Sequence, residues 1–379
     1  MNKKIILLLI IFLLTGCYDK HELNDIAIVT ATEIDKIDNN YIITTEIINP
    51  QSPDKTTNVS SPFIIYEGIG KTLDEAYRQI NSKSSKYLYA DHIQIMILNE
   101  NIAKENIKEI LDFYLRKPTI RTEFKVLIGK NKNILSVTTP INKISSSSIL
   151  NSLISDNKYL GISNLVTFND MTEAILNHNK ELVLPSIKLD NINEETDKLE
   201  NTQETKPNSK YILDNLAIFK NNKLLGYLSK EESITYNIIK NNTKNIIITY
   251  PCNNNYMSIE LLSSSSKIIP KNNKIKINID LTGTINETNC PIISNNKLEK
   301  NISKYLNKEL TKNVNSIRNT YNSDIFGFLD EIYKHNYKLY KKINSTWYKA
   351  AYKNIKININ TKMHLISNGN ITEVNNEKN

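Results

Sequence analysis

The stretch Lys274-Ile275-Lys276-Ile277-Asn278-Ile279-Asp280-Leu281 decides the fold class. Its apolar residues fall on every second position, with Lys276, Asn278 and Asp280 between them. Successive side chains of a strand point to opposite faces, so the spacing predicts a strand with one apolar and one polar face. Ile355, Ile357 and Ile359 repeat the pattern near the end of the chain. Between these two runs the period changes. Ile302, Leu306, Leu310, Val314, Ile317 and Tyr321 recur every three or four residues, which predicts a long helix with one buried stripe. A second helix is expected over roughly Ile325 to Tyr340. Strands grouped apart from two long helices predict an α+β domain, with helices packed on one face of a mainly antiparallel sheet.

Upstream, Ile246 to Ile248 and Ile259 to Leu261 read as strands. Leu216 to Phe219 and Leu224 to Leu228 flank Asn221-Asn222 and predict a hairpin. Ser229-Lys230-Glu231-Glu232 has the form of a capping box opening a helix. Before that hairpin, residues 191–209 hold almost no large apolar side chain and cannot bury a core, so they are expected as a polar linker or long loop. The first half repeats the mixture. Runs at Ile26 to Val29 and Tyr41 to Ile43 flank the turn Asp38-Asn39-Asn40. Thr72-Leu73-Asp74-Glu75 opens a helix, Ile93 to Leu98 reads as a buried strand, and a helix carries Ile107, Ile110, Leu111, Tyr114 and Leu115 on one face. Phe124 to Ile128 is a strand, Ile141 to Ile154 a helix, Asp170-Met171-Thr172-Glu173 a helix start and Leu182 to Leu184 a strand. The expected division is 1–16, 17–190, 191–209 and 210–376, the last subdivided near 241–250.

The first of these segments reads as a lipoprotein signal peptide. Lys3 and Lys4 precede an unbroken apolar run from Ile5 to Leu14, followed by Thr15-Gly16-Cys17. Ten residues of helix span about 15 Å, half the thickness of a bilayer core, so the run is too short to remain as a span. Cleavage before Cys17 leaves a thiol that carries a diacylglyceryl group, and the body is expected to be held on a membrane outside the cytoplasm.

The formal charge is +8, and +6 once Lys3 and Lys4 are removed. Lysines are scattered among asparagines and glutamates, with no basic block interleaved with aromatics, so nucleic acid is not an expected partner. Cys252 and Cys290 each flank a proline near the end of an expected strand. Export permits a disulfide between them, and two free thiols are the open alternative. The five histidines have no ligand spacing to a cysteine, so no metal site is expected.

Catalytic motifs fail individually. Gly70-Lys71-Thr72 lacks the earlier glycine of a phosphate-binding loop, where Ile65 stands, and suits a helix start. Asp91-His92 has no accompanying nucleophile motif. Glu231 and Glu232 are explained by capping and solvation. The aromatics Phe326, Phe328, Tyr333, Tyr337, Tyr340 and Trp347 read as core, with a partner surface as the alternative. No enzymatic activity, catalytic residue or cofactor is expected. A solute-binding lipoprotein of an importer is the competing reading, and it calls for two similar α/β lobes that the element order does not supply.

Several segments together resemble the Ger(x)C family of spore-germination lipoproteins, the C subunit of nutrient germinant receptors. Cys17-Tyr18-Asp19-Lys20-His21-Glu22-Leu23-Asn24-Asp25-Ile26-Ala27-Ile28-Val29 is similar to the family's opening motif. Tyr18, His21 and Glu33 stand where tryptophan, arginine and glycine are usual. Tyr87-Leu88-Tyr89-Ala90-Asp91-His92, Asn101-Ile102-Ala103, Arg121, Leu184-Pro185-Ser186-Ile187 and Ala217-Ile218-Phe219-Lys220 follow in the family's order. Leu225-Gly226-Tyr227-Leu228, Glu231-Glu232-Ser233, Asp324-Ile325-Phe326-Gly327-Phe328 and Trp347 complete it. The resemblance implies three α+β domains and attachment through Cys17 to the outer face of the spore inner membrane. It also implies two membrane partners, an A and a B subunit, with which the protein acts in germination. It names no nutrient and does not say whether this subunit touches one.

Overall fold

The computed structural model describes residues 25–48, 63–117, 120–136, 145–156, 160–190, 210–271, 274–291 and 293–367. The chain is α+β and multi-domain, built on two mixed sheets. The first opens with β1 (Ile26–Ile37), β2 (Asn40–Ile48) and β3 (Phe63–Gly70), paired antiparallel. Asp38 and Asn39 turn β1 into β2 with φ of 49° and 62°, a left-handed pair that suits a two-residue hairpin. β4 (Tyr87–Tyr89) lies parallel to the start of β1. β5 (Ile95–Asn99), β6 (Lys125–Gly129) and β7 (Val183–Asp190) then add in succession, all parallel to β1. β8 (Lys210–Lys220) and β9 (Lys223–Tyr227) close the sheet antiparallel.

Helices occupy both faces: α1 (Leu73–Lys83), α2 (Glu100–Glu105), α3 (Lys108–Leu115), α4 (Ser146–Asp156) and α5 (Phe168–Leu176). Alternate residues of the central strands feed separate cores. Met96, Leu98, Val126 and Ile128 meet α2, α3 and α5, while Ile95, Ile97 and Leu127 meet α4 through Leu150 and Ile154. Both faces being buried explains why these strands read as continuous apolar runs. Gly68 marks the closest approach of strand and helix. A Cβ there would sit 2.1 Å from the carbonyl oxygen of Ala76 on α1.

The second sheet has the order β10 (Ile246–Cys252), β11 (Asn255–Lys271), β12 (Lys274–Thr288) and β13 (Lys356–Ser367). α6 (Lys230–Ile239) leads into it. α7 (Asn295–Tyr321), α8 (Phe328–His335), α9 (Tyr337–Ile343) and α10 (Tyr352–Asn354) lie between its last two strands. α7 buries Leu298, Ile302, Leu306, Leu310, Val314 and Ile317 against the apolar face of Ile275, Ile277, Ile279 and Leu281. Its Ser303 and Glu299 side chains accept from the backbone N–H groups of Met363 and Leu365 on β13, which covers part of that edge strand.

The second sheet is mainly antiparallel as expected, and β13 joins it parallel to β12 because the chain passes through a helical crossover before returning to the sheet. Two expectations are corrected. The helix expected from Ile325 to Tyr340 starts at Phe328 and breaks at Asn336, whose side chain accepts from the Leu339 N–H and opens α9. α5 begins three residues earlier than Asp170-Met171-Thr172-Glu173 suggested. Thr167 is the cap, and Asp170 is the reciprocal member of its capping box. Residues 191–209 and Cys17 lie outside the described residues. The strands flanking 191–209 pair with each other, so the first sheet runs on through Tyr227. Alternate faces of β8 also join the two halves: Ala217 and Phe219 belong to the first core, and Leu216 and Ile218 to the core of the second sheet.

Candidate functional site

Because β1, β5, β6 and β7 are parallel, their amino ends share one end of the sheet. A cleft of about 520 Å³ opens there, lined by Thr30, Asp91, His92, Arg121, Glu123 and Lys125 among others. Two backbone hydrogen bonds hold its floor. The Gln94 N–H donates to Thr30 O at 2.8 Å, and the Lys125 N–H donates to Gln94 O at 2.9 Å. Arg121 is distant in sequence from the adjacent pair Asp91-His92, and the structure brings all three to this cleft. The Tyr89 hydroxyl is hydrogen-bonded to Asp91. That bond raises the tyrosine's pKa, and the Arg121 charge pulls it back. The His92 ring lies 5.8 Å from the Tyr89 ring. A second cavity of about 230 Å³ shares Asp91 and Ile93 and is walled by Tyr77, Tyr87, Phe113 and Tyr114. His92 and Arg121 are exposed. The cleft therefore presents a cation, an imidazole and carboxylates next to the aromatic walls of the second cavity. Among the described residues no three His, Cys, Asp or Glu side chains converge to hold a metal.

Three buried carboxylates accept from the backbone at helix or turn starts, and one of them, Glu46, positions the cleft. Glu46 on β2 is fully buried and accepts from the N–H groups of Ser146 at 2.7 Å and Ser147 at 3.2 Å, the first turn of α4. It also accepts from the Thr30 hydroxyl at 2.7 Å. An anion suits the donor-rich, positive end of a helix. One turn on, Asn151 and Ser155 of α4 hold the Lys125 ammonium, so Glu46 sets the helix that fixes a cleft lysine. Glu33 on β1 does the same for the 3₁₀ turn Ile134–Ser136. It accepts from Ile134 N at 3.1 Å, Leu135 N at 2.9 Å and Asn99 Nδ2 at 2.8 Å. Burial raises its pKa, and those hydrogen bonds oppose the rise.

Asp324 is the third. It accepts from Phe328 N at 2.9 Å and Leu329 N at 2.8 Å, and Gly327 takes φ of 74° so that the chain can enter α8. Burial pushes its carboxyl up to about 7, against the pull of the two N–H groups and of Lys240. In the sequence motifs Glu33 stands out only as a departure from the family's glycine, and Glu46 not at all. An acid inside an otherwise apolar strand is the signal that marks them, since a buried carboxylate needs donors close by.

The other singled-out residues fall as follows. Thr72 accepts from the Glu75 N–H at 3.1 Å and Lys71 N donates to Glu75 at 2.7 Å, a helix start. Glu232 completes a capping box with Ser229, and Glu231 is exposed in the first turn of α6. The aromatic group divides: Phe326, Phe328 and Trp347 are buried, whereas Tyr333 and Tyr337 are about half exposed. The Cα atoms of Cys252 and Cys290 lie 5.8 Å apart, a separation that a disulfide spans.

Comparison with known proteins agrees with this architecture. Residues 19–189 match the family described as the spore germination protein N-terminal domain, and residues 214–369 match the spore germination B3/GerAC-like C-terminal family. Spore germination protein KC of Bacillus subtilis (strain 168) is 28% identical over 390 residues, covering 96% of this chain and 95% of its own. Spore germination protein B3 of the same organism is 21% identical, covering 91% and 92%. The crystal structure of the GerBC protein superposes with a TM-score of 0.52 at 16% identity, over 89% of this chain and 97% of that one. The chain belongs to the Ger(x)C family of spore-germination proteins, the C-subunit family of germinant receptors. Among the described residues, no helix is long and apolar enough to cross a membrane.

Proposed function

We infer that this chain is the lipid-anchored, non-enzymatic C subunit of a nutrient germinant receptor, working with two membrane-embedded subunits on the outer face of the spore inner membrane. The polarity of the first sheet carries this reading. β1 starts at Ile26, beside Tyr87 of β4, at the same end as the cleft. The chain from Cys17 to Asp25 reaches no more than about 30 Å when extended. A diacylglyceryl group on Cys17 therefore holds the amino end of the sheet toward the bilayer, with Asp91, His92 and Arg121 on the membrane side. Confinement to that layer raises the effective concentration against membrane partners, so a modest polar cleft suffices for assembly. The body is further braced by a bridge between Cys252 and Cys290.

The test is Cys17→Ala at native expression in spores. The protein leaves the membrane fraction, and germination through this receptor is lost. Normal germination with the unlipidated chain would contradict the reading. Arg121→Glu in the otherwise native chain is expected to keep membrane attachment and lose co-purification with the membrane subunits.

A further inference from the structure

A Tyr/Lys surface on α8 and α9 is not used by the cleft. Tyr333 is 47% and Tyr337 52% exposed, and Leu176 at the end of α5 is 58% exposed. Lys338, Lys341 and Lys342 are exposed on α9, and among the described residues none of the three is in a salt bridge. The nearby acids Asp330 and Glu331 are already engaged by Lys334, at 2.7 Å and 3.4 Å. The unpaired charge of the patch is therefore positive. Its rings are ordered: Tyr333 packs edge-on against Tyr340 at 5.0 Å, Tyr337 stacks on Tyr340 at 5.8 Å, and Lys341 lies 4.9 Å over the Tyr337 ring.

Position gives the patch its meaning. The Tyr340 hydroxyl donates to Asn179 at 3.1 Å, and Asn177 Nδ2 donates to Asp330 at 3.3 Å. Both asparagines belong to the turn that precedes β7. That turn lies at the amino end of the parallel strands, the end where β1 begins.

We propose that this Tyr/Lys surface binds the anionic headgroups of the bilayer that holds the lipid anchor, giving the body a second membrane contact and a fixed orientation. Tyrosines half sunk at a surface and exposed lysines outside any salt bridge are the side chains that suit a headgroup layer. Each lysine near an anionic surface adds a modest, salt-screened attraction, and three together change binding by about a hundredfold. The proposal rests on the anchored reading above. It is tested without the lipid, so that each can fail alone.

The full mature chain carrying Cys17→Ser is mixed with vesicles of phosphatidylcholine alone, or of phosphatidylcholine and phosphatidylglycerol in equal parts, and sedimented. Binding is expected only to the anionic vesicles, and to fall as salt rises. The combined variant Lys338→Gln, Lys341→Gln, Lys342→Gln should bind about a hundredfold more weakly. Tyr333→Ser with Tyr337→Ser should weaken binding while leaving its salt dependence in place. Circular dichroism confirms that each variant is folded. Equal binding to both vesicles overturns the proposal, as does a lysine variant that binds like its parent. It is also overturned if the lysine variant keeps vesicle binding but loses co-purification with the membrane subunits, for then the patch meets protein. Absence of lipid on native Cys17 by mass spectrometry refutes the anchored reading and leaves the vesicle result standing.

Discussion

Glu46→Ala removes the carboxylate that ties β2 to α4 and, through α4, to the cleft. It leaves the N–H groups of Ser146 and Ser147 without their acceptor inside the protein. A buried donor left unpaired costs about 1–3 kcal/mol. The Thr30 hydroxyl suffers less, because it can turn to the backbone carbonyl of residue 46 at 3.3 Å. Water entering the vacated space and relief from burying a charge both offset part of the loss. The expected net destabilisation is about 2–4 kcal/mol, which moves a urea midpoint down by about 1–2 M. Hydrogen exchange should accelerate first at the amides of Ser146 and Ser147, ahead of those in β5 and β6. Glu46→Gln keeps the volume and one acceptor oxygen, so about half of the loss should remain. An unchanged midpoint for Glu46→Ala, or amides of α4 that stay as protected as the central strands, would refute the capping argument.

Other outcomes follow from the same geometry. Asp324, pushed up to about 7 by burial, takes a proton in the folded chain over a pH range where the unfolded chain is already ionised. Its contribution to stability should therefore fall as pH rises from about 4 to about 7, by about 4 kcal/mol at most, and Asp324→Asn should remove that part of the slope in urea titrations across pH. Cys252→Ser opens a bridge whose ends are 38 residues apart, which corresponds to about 4 kcal/mol in the chain-entropy model; a thiol assay on the denatured, unreduced native chain should find neither Cys252 nor Cys290 free. Gly68→Ala places a methyl 2.1 Å from Ala76 O, so α1 must lift off β3, and a loss of about 1–3 kcal/mol is expected by thermal melting.

Periodicity located most elements because it reports which side of each element is buried. The run Ile275 to Leu281 and the stripe Leu298 to Ile317 meet face to face in one core, as their spacing demanded. Strand partners were less legible. Nothing in Lys356–Ser367 distinguishes parallel from antiparallel pairing, and the polar composition of 191–209 hides the fact that β7 and β8 are neighbours. The site was readable only in pieces. Asp91-His92 and Arg121 stood out as motifs, but a parallel sheet order was needed to bring them together. Glu33 and Glu46 carry no local signature of a cap, since the helix ends that they satisfy lie roughly a hundred residues away in sequence. The aromatic group looked uniform in sequence. Only the packing against the second core separates Phe326, Phe328 and Trp347, which are buried, from Tyr333 and Tyr337, which are exposed on either side of the break at Asn336.

Site-specific photo-crosslinking from position 92, in spores that retain Cys17, interrogates the cleft of Asp91, His92 and Arg121 directly. Adducts with multi-span membrane proteins of the same receptor are expected, and they should vanish when Cys17→Ala releases the body. Adducts confined to soluble proteins, or membrane adducts that persist at full yield without Cys17, would show that the cleft does not face its neighbours across the bilayer surface.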